Sequence, residues 1–336
     1  MISSADIINS RRLAFGPRSD LMAISPMKHK WARDHWKAML ANNWTMNEVD
    51  LSDDGLCYRS RLTEGQRYAY DSALAFVSNL DGIQLHNLTN NISKCITSPE
   101  VEMLITRQAF EEALHVDAYS QIVETISADP MAVYMRFQTD HMLAAKNEHI
   151  MRQSAILGES QTHEAFARAM IANIVLEGVY FYSAFLVFYT LGRSGAMMGT
   201  ADAIKFINRD EISHLHLFKH MHFTHKSEEP WVYDESFNAD SEAIIREGVE
   251  LEIKWGKYII SKGVPGLSDV LMEEYIKSLA NERCVMVGMR PLYPGIKNPF
   301  GWVEQFSNPD KRHEANFFES KITSYAVGVL DDWGDD

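Results

Sequence analysis

Two glutamate–histidine pairs, each with two residues between the partners, could each bind a metal ion. They are Glu112 with His115 and Glu211 with His214. Residues three apart on an α-helix project from one face, so each pair could offer a carboxylate and an imidazole to the same ion. One such pair arises readily by chance, so the surroundings of the two pairs decide their meaning.

Those surroundings look apolar. Helical spacing predicts two core-facing stripes, formed by Ile105, Gln108, Glu112, His115 and Tyr119 and by Ile204, Ile207, Glu211, His214 and Phe218. Two further acids share this setting, because Asp81 follows the apolar spacing of its own helix and Glu177 lies within an almost wholly apolar stretch. Burying four carboxylates without cations would cost several kcal/mol each. Two divalent metal ions would remove that cost.

The six candidate ligands would come from four helices: Asp81, Glu112 with His115, Glu177, and Glu211 with His214. This is the ligand set of ferritin-like di-metal bundles, in which two helices give one carboxylate each and two give Glu-x-x-His. Carboxylates with one imidazole per ion suit iron or manganese. The competing interpretation is scattered surface acids and core histidines. Six such residues on four apolar faces favour the metal interpretation.

Helix signals surround these residues. Thr63 with Gln66 forms a capping box, and Ser98 followed by Pro99 indicates a helix start. Further helices are predicted from Pro130 to about 157 with Gly158 as a cap, from a Thr200 cap onward, and at about 241–261 and 267–289. No convincing alternating strand pattern is present. The sequence therefore predicts an all-α, ferritin-like helical bundle.

The composition excludes several classes of protein. The chain has 336 residues, 46% hydrophobic and 23% charged, which excludes a disordered or fibrous protein. A net charge of −14 argues against nucleic acid as a partner. Three separated cysteines form no CxxC pair, and the first residues lack the apolar core of a secretory signal. A reduced, cytoplasmic setting is expected.

One stretch, residues 169–191, is long and apolar enough to resemble a membrane span. Glu177 is its single charge, its aromatic residues are spread along it, and no basic cluster flanks it. A buried central helix is therefore predicted, and no membrane contact. The domain prediction is a flexible segment at 1–27, one bundle domain at 28–320 and a flexible acidic tail at 321–336.

Several stretches resemble the small, radical-generating subunit of class I ribonucleotide reductases. They are NNWTMNEVDLSDD (42–54), RQAFEEALHVDAY (107–119), LEGVYFYSAF (176–185), INRDEISHLHLF (207–218), NPFGW (298–302) and NFFE (316–319). The resemblance covers about residues 28–325. It implies a helical homodimer that assembles with a large catalytic subunit, which reduces ribonucleotides to deoxyribonucleotides for DNA synthesis.

The resemblance also implies roles for individual residues. Its metal ligands match Asp81, Glu112, His115, Glu177, Glu211 and His214. Tyr119 matches the tyrosine that is oxidised to a radical, and Phe181, Phe185 and Ile207 match its apolar pocket. A phenoxyl radical persists only where water and reductants are excluded, which agrees with a tyrosine on a core-facing stripe.

Other matched residues lie on the radical-transfer route of that family. Trp44 and Asp210 match two of its members, and Asp210 could hydrogen-bond a ligand histidine. In the family, the C-terminal tail docks on the large subunit and carries a relay tyrosine. Tyr325 is the candidate here, with Trp333 as the alternative.

Several alternatives stay open at this stage. Iron, manganese and a mixed manganese/iron pair all suit the ligands. A manganese centre would imply a flavodoxin-like activating partner, and some relatives use a mixed centre without a tyrosyl radical. Beyond the reductase, the same ligands would serve a ferritin-like di-metal oxidase or oxygenase, such as a desaturase. A metal-free scaffold that only binds the large subunit is the alternative from another class, but no ligand is missing.

Overall fold

The structure is a computed structural model that describes residues 4–17 and 22–303, and its regular elements are helices. In chain order they are α1 (Ser4–Ser10), α2 (Lys30–Ala41), α3 (Asp54–Ser60), α4 (Glu64–Asn87), α5 (Ser93–Cys95), α6 (Pro99–Ile126), α7 (Pro130–Tyr134), α8 (His141–Glu159), α9 (His163–Val175), α10 (Tyr182–Arg193), α11 (Met198–Glu228), α12 (Glu235–Ile259) and α13 (Asp269–Met286). Two π-helical turns lie at Leu88–Ile92 and Leu176–Tyr180. Within the described ranges, the β pairing amounts to one isolated bridge between Ala14 and Ile96. The predicted all-α class is confirmed.

Four long segments form the centre of the bundle, namely α4, α6, α11 and the stretch from α9 to α10. Helix α4 packs against α6 and α10, and α11 packs against α6, α9 and α10. An outer layer covers one side, in which α12 packs on α13 and α9, and α8 packs on α9. The predicted ligands lie on the central segments. The outer layer covers one side of these segments.

The apolar stretch is a central helix. In the described part of the chain, one helical stretch, His163–Arg193, is long and apolar enough to cross a membrane, with a mean hydropathy of 1.7. Of that apolar window, 94% is buried inside the protein. This burial confirms the predicted buried central helix. The stretch comprises α9, the π-turn and α10.

The predicted helix starts at Thr63, Pro99 and Pro130 are confirmed, and the one at Thr200 is wrong. Thr63 caps α4 through the capping box with Gln66, and α6 begins at Pro99. Thr200 is not a cap, because α11 begins at Met198 and Thr200 lies in its first turn. Its backbone N–H and hydroxyl donate to Asp54 Oδ2, at 2.7 and 2.6 Å. An acid from α3 therefore caps α11, which local sequence could not show.

The helix predicted from Pro130 is divided into two. Helix α7 ends at Tyr134, and Asp140 starts α8 by accepting hydrogen bonds from the N–H groups of Met142 and Leu143. Gly158 is not a cap, because α8 continues to Glu159. The apolar pattern continues across the break and predicted one helix. The Asp140 side chain instead caps a new helix at this point.

Part of the N-terminal segment predicted to be flexible is packed against the bundle. Leu13 and Ala14 are buried, and the backbone N–H of Leu13 donates to Glu228 Oε2 at 2.8 Å. Glu228 Oε1 lies 2.8 Å from Lys28 Nζ and 3.0 Å from His29 Nε2. Burial alone would raise the pKa of Glu228, but hydrogen bonds from His29, Lys28 and Leu13 lower it to about 2. The end of α11 therefore anchors this segment.

We expect Glu228→Gln to lower the free energy of unfolding by about 1–3 kcal/mol near neutral pH, because charged hydrogen bonds are lost. The folded pKa of about 2 lies below the ordinary 4.5, so this stabilisation is present above pH 4.5 and disappears as the pH falls towards 2. Urea unfolding of both proteins across this pH range measures it. Glu242→Gln, in an exposed pair with Arg246, is the control and should cost less than about 1 kcal/mol. If the difference in the free energy of unfolding between Glu228→Gln and the wild type grew as the pH fell, the assignment would be contradicted.

Candidate metal centre

The structure brings the six predicted ligands together in the middle of the bundle. Asp81 comes from α4, Glu112 and His115 from α6, Glu177 from the π-turn, and Glu211 and His214 from α11. All six are fully buried. They form two groups of four, Asp81, Glu112, His115 and Glu211 in one and Glu112, Glu177, Glu211 and His214 in the other. Within each group, one ligand atom per residue lies within 4.8 Å of the others. The shared residues Glu112 and Glu211 could bridge two ions.

The donor atoms of this cluster fit two divalent metal ions. Both oxygens of Asp81 and one oxygen each of Glu112, Glu177 and Glu211 are buried without a hydrogen bond. Buried polar atoms are normally paired, so unpaired oxygens that gather at one point indicate a cation. The four carboxylates would carry four negative charges, and two divalent ions would balance them with both histidines neutral. Carboxylate and imidazole ligands suit iron and manganese.

The pKa values show the same need for positive charge. Burial raises the pKa of Asp81, and burial with the charge of Glu177 raises that of Glu112 to about 7. Burial alone would lower the pKa of His115 and His214, yet the surrounding carboxylates raise both. Asp81, Glu112, His115 and His214 therefore hold a proton more readily than they would in water.

His115 is oriented by an acid on the opposite helix. Its Nδ1 lies 3.0 Å from Glu211 Oε1 and 3.5 Å from Asp81 Oδ2, on the inner side of the cluster. Its Nε2 lies 3.3 Å from Asp210 Oδ2, which also accepts a 2.6 Å hydrogen bond from Trp44 Nε1. Burial would raise the pKa of Asp210, but the hydrogen bond with His115 holds it below the ordinary value. Asp210 is thus an anionic partner that orients His115, so that Nδ1 faces the other candidate ligands and could bind an ion there.

His214 has an equivalent arrangement that sequence reasoning missed. Its Nδ1 lies 3.0 Å from Glu211 Oε2, and its Nε2 lies 2.9 Å from Glu111 Oε2. The other oxygen of Glu111 accepts a 2.9 Å hydrogen bond from Arg107 Nε. Glu111 precedes Glu112 as Asp210 precedes Glu211, and each of these acids binds the histidine of the other helix. The repeated pattern acid-Glu-x-x-His was the available signal.

Two buried amides hold Glu177, and only one of them was noted from the sequence. Gln108 Nε2 donates to Glu177 Oε1 at 2.8 Å and to Glu112 Oε1 at 3.2 Å. Gln84 Nε2 donates to the same Glu177 oxygen and, at 3.1 Å, to Asn173 Oδ1. Gln84 lies three residues after Asp81 on the same helical face, so an amide beside a candidate ligand was the available signal. Glu177 Oε2 is left free for an ion.

Comparison with known proteins agrees with this geometry. The family model described as ribonucleotide reductase, small chain, matches residues 21–299. The chain belongs to the ribonucleotide reductase small-chain family. The ribonucleoside-diphosphate reductase subunit beta of Treponema pallidum is 37% identical over 324 residues, covering 95% of this chain and 92% of its own length.

Solved structures agree with the assignment to the reductase family. The ribonucleotide reductase R2 subunit from Clostridium botulinum superimposes with a TM-score of 0.85 at 37% identity, covering 89% of this chain and 94% of its own. A putative class I ribonucleotide reductase from Bacillus halodurans gives a TM-score of 0.79 at 30% identity, covering 82% and 99%. The chain is thus a small subunit of ribonucleoside-diphosphate reductase, an oxidoreductase, and the predicted ferritin-like bundle is confirmed.

Tyr119 of this reductase subunit lies on α6, one turn after His115, and is fully buried. Its hydroxyl has no hydrogen-bond partner among the residues that the structure describes. Burial, followed by the charges of Asp81 and Glu211, raises its pKa well above the ordinary value. The predicted pocket residues Phe181, Phe185 and Ile207 are also fully buried. The phenol is therefore held neutral beside the cluster and away from solvent.

Trp44 lies beside the candidate metal centre of this reductase subunit. It is buried in the loop after α2, and its ring stacks on Phe206 with centroids 5.1 Å apart. Its ring centroid lies 6.3 Å from that of His115. With the hydrogen bonds through Asp210, these contacts join Trp44 to a candidate ligand. Tyr325 and Trp333 lie outside the described residues.

We expect Glu111→Gln to weaken metal binding about tenfold, at the low end of the range for changes behind a metal-binding histidine. The amide keeps the shape of the side chain but removes the charge that orients His214 and pairs with Arg107. Anaerobic equilibrium titration with Mn(II) measures this affinity. Glu124→Gln, an exposed change on the same helix, is the control. Equal affinities in Glu111→Gln and the control would show that Glu111 does not support the metal centre.

Proposed function

We propose that this small subunit binds two transition-metal ions, most simply two irons, and uses them to generate a radical on Tyr119. The radical would pass to a large catalytic subunit, which reduces ribonucleotides to deoxyribonucleotides for DNA synthesis. The observation that carries this proposal is the pair of buried ligand groups that share Glu112 and Glu211. Tyr119, which is fully buried on the helix that carries Glu112, supports the proposal.

The residues of the chain have separable tasks in this reaction. When bound, the two ions would supply the oxidising power, taken from an oxygen species. The carboxylates hold the ions, while Asp210 and Glu111 keep Nδ1 of His115 and His214 directed inward. The burial of Tyr119 excludes the water and reductants that would quench a phenoxyl radical.

The identity of the metal is part of the proposal. The ligands suit iron and manganese alike, and metal supply would decide between them. Two manganese ions would call for a flavodoxin-like activating partner. A mixed manganese/iron centre that works without a tyrosyl radical is the alternative, but the presence of Tyr119 in a dry site favours the tyrosyl mechanism.

The route out of the centre would run through His115, Asp210 and Trp44, which are in contact in the structure. Membership of the family implies a large subunit as partner and a homodimer of this chain. We propose that the tail beyond the described residues docks on the large subunit. Tyr325 would relay the radical between the subunits, with Trp333 as the alternative.

We expect Tyr119→Phe to retain the fold and the metal content but to lose the tyrosyl radical and ribonucleotide reduction. The change removes only a hydroxyl group that has no hydrogen-bond partner among the described residues. Elemental analysis, electron paramagnetic resonance and an activity assay with the large subunit measure these properties. Tyr275→Phe, at a buried position on α13, is the matched control. Normal turnover by Tyr119→Phe would rule out the tyrosyl mechanism and support the mixed-metal alternative.

The tail is tested with two variants that separate docking from relay. Deleting residues 326–336 should leave metal content and the radical intact but weaken binding to the large subunit at least tenfold, or about 1.4 kcal/mol. Tyr325→Phe should bind normally and lose turnover, because phenylalanine cannot carry the radical. Subunit titration and activity measure both variants. Full activity of Tyr325→Phe would remove this residue from the route and leave Trp333 to be tested.

A further inference from the structure

The ligand Glu177 lies on an irregular piece of backbone. Between α9 and α10 the chain forms the π-turn Leu176–Tyr180, although the whole stretch is apolar enough for one continuous helix. A π-turn shifts the hydrogen-bond register by one residue and changes the direction of the side chains that follow. Such a turn is less regular than an α-helix, so something must hold it in place.

Two buried cations from the outer layer bind carbonyl groups of this π-turn. Arg283 Nε on α13 donates to the carbonyl of Gly178 at 3.0 Å. Lys146 Nζ on α8 donates to the carbonyl of Tyr180 at 3.1 Å. Lys146 is fully buried, and Arg283 is 7% exposed. Both cations therefore approach the π-turn from outside the helices that carry the other ligands.

Glu252 on α12 completes this arrangement. It forms an ion pair with Lys146, and its Oε1 accepts hydrogen bonds from the backbone N–H of Ser183, at 3.2 Å, and from the Ser183 hydroxyl. Ser183 lies in the first turn of α10, directly after the π-turn. Burying an ion pair costs considerable desolvation energy. Both members of this pair form hydrogen bonds with the backbone at the π-turn or just after it.

Gly178 and Arg283 are sterically matched. A Cβ atom added to Gly178 would lie 2.7 Å from Arg283 Nε and 2.9 Å from its Cδ. Both distances are shorter than ordinary van der Waals contact, so a side chain at this position would push the guanidinium away. The glycine next to Glu177 thus permits the close approach of the cation.

We propose that Arg283 and the Lys146–Glu252 pair are positioning residues that fix the π-turn and thereby aim Glu177 at its metal ion. Of the two ligand groups, only the one formed by Glu112, Glu177, Glu211 and His214 contains Glu177. Loosening the π-turn should therefore weaken one ion much more than the other. This inference rests on the proposed two-metal function.

Two variants test this inference. Arg283→Met removes the donor to Gly178 and keeps an unbranched side chain of similar length. The double variant Lys146→Met/Glu252→Gln removes the donor to Tyr180 without leaving an unpaired buried charge, and the glutamine can still accept from Ser183. Arg246→Met on α12, in an exposed pair with Glu242, is the control. The two variants act on different carbonyls. If one variant fails to fold, the other still tests the inference.

Anaerobic titration with Mn(II), followed by the electron paramagnetic resonance of the unbound ion, reports both affinities without any turnover. We expect each variant to bind one ion within twofold of wild type and the other at least tenfold more weakly. Arg283→Lys, which keeps a donor, should recover part of the loss. Thermal unfolding of the metal-free proteins gives the change in stability separately.

The outcomes separate this inference from the function on which it rests. Two ions bound as in the wild type by folded variants would overturn the positioning role while leaving the two-metal function intact. Equal weakening of both ions would also overturn it, because general loosening of the bundle would then explain the result. A wild-type protein that binds fewer than two Mn(II) ions would overturn the two-metal function and this inference with it.

Discussion

The structure depends on burying four carboxylates in the middle of a helical bundle. Asp81, Glu112, Glu177 and Glu211 are fully buried, and several of their oxygens have no hydrogen bond. Such a core is unfavourable unless cations balance it, and desolvation alone would raise the pKa of buried acids until they bind protons. Two divalent ions would supply that charge, and His115 and His214, which face the same cluster, could then serve as neutral ligands.

The two halves of the centre are related by a crossed pattern of hydrogen bonds. Asp210 on α11 binds His115 on α6, while Glu111 on α6 binds His214 on α11. Each helix therefore orients the ligand of the other, and α6 and α11 must keep their relative register for both histidines to be aimed. The orientation of both histidines is in this way coupled to the packing of two central helices, which a single Glu-x-x-His pair could not achieve.

Much of this arrangement could be predicted from sequence, because helical periodicity places Asp81 and Glu177 on apolar faces, where a buried acid calls for a compensating cation. What escaped prediction depends on contacts between distant parts of the chain. Asp54 caps α11 from α3, and Glu111 reaches the histidine of another helix, although its local pattern hinted at it. The π-turn around Glu177 also escaped prediction, because its carbonyls are bound by Arg283 and Lys146, which lie on other helices.

The crossed pattern is not chemically symmetric, and this difference bears on the proposed radical route. Behind His115, Asp210 accepts a hydrogen bond from Trp44, whose aromatic ring can be oxidised. Behind His214, Glu111 pairs with Arg107, whose guanidinium offers no accessible one-electron oxidation. In the proposed mechanism, an electron would therefore leave or enter the centre on the Trp44 side. In the proposed function, the same acid-Glu-x-x-His pattern would support metal binding on both helices, while the redox-active neighbour Trp44 lies behind His115.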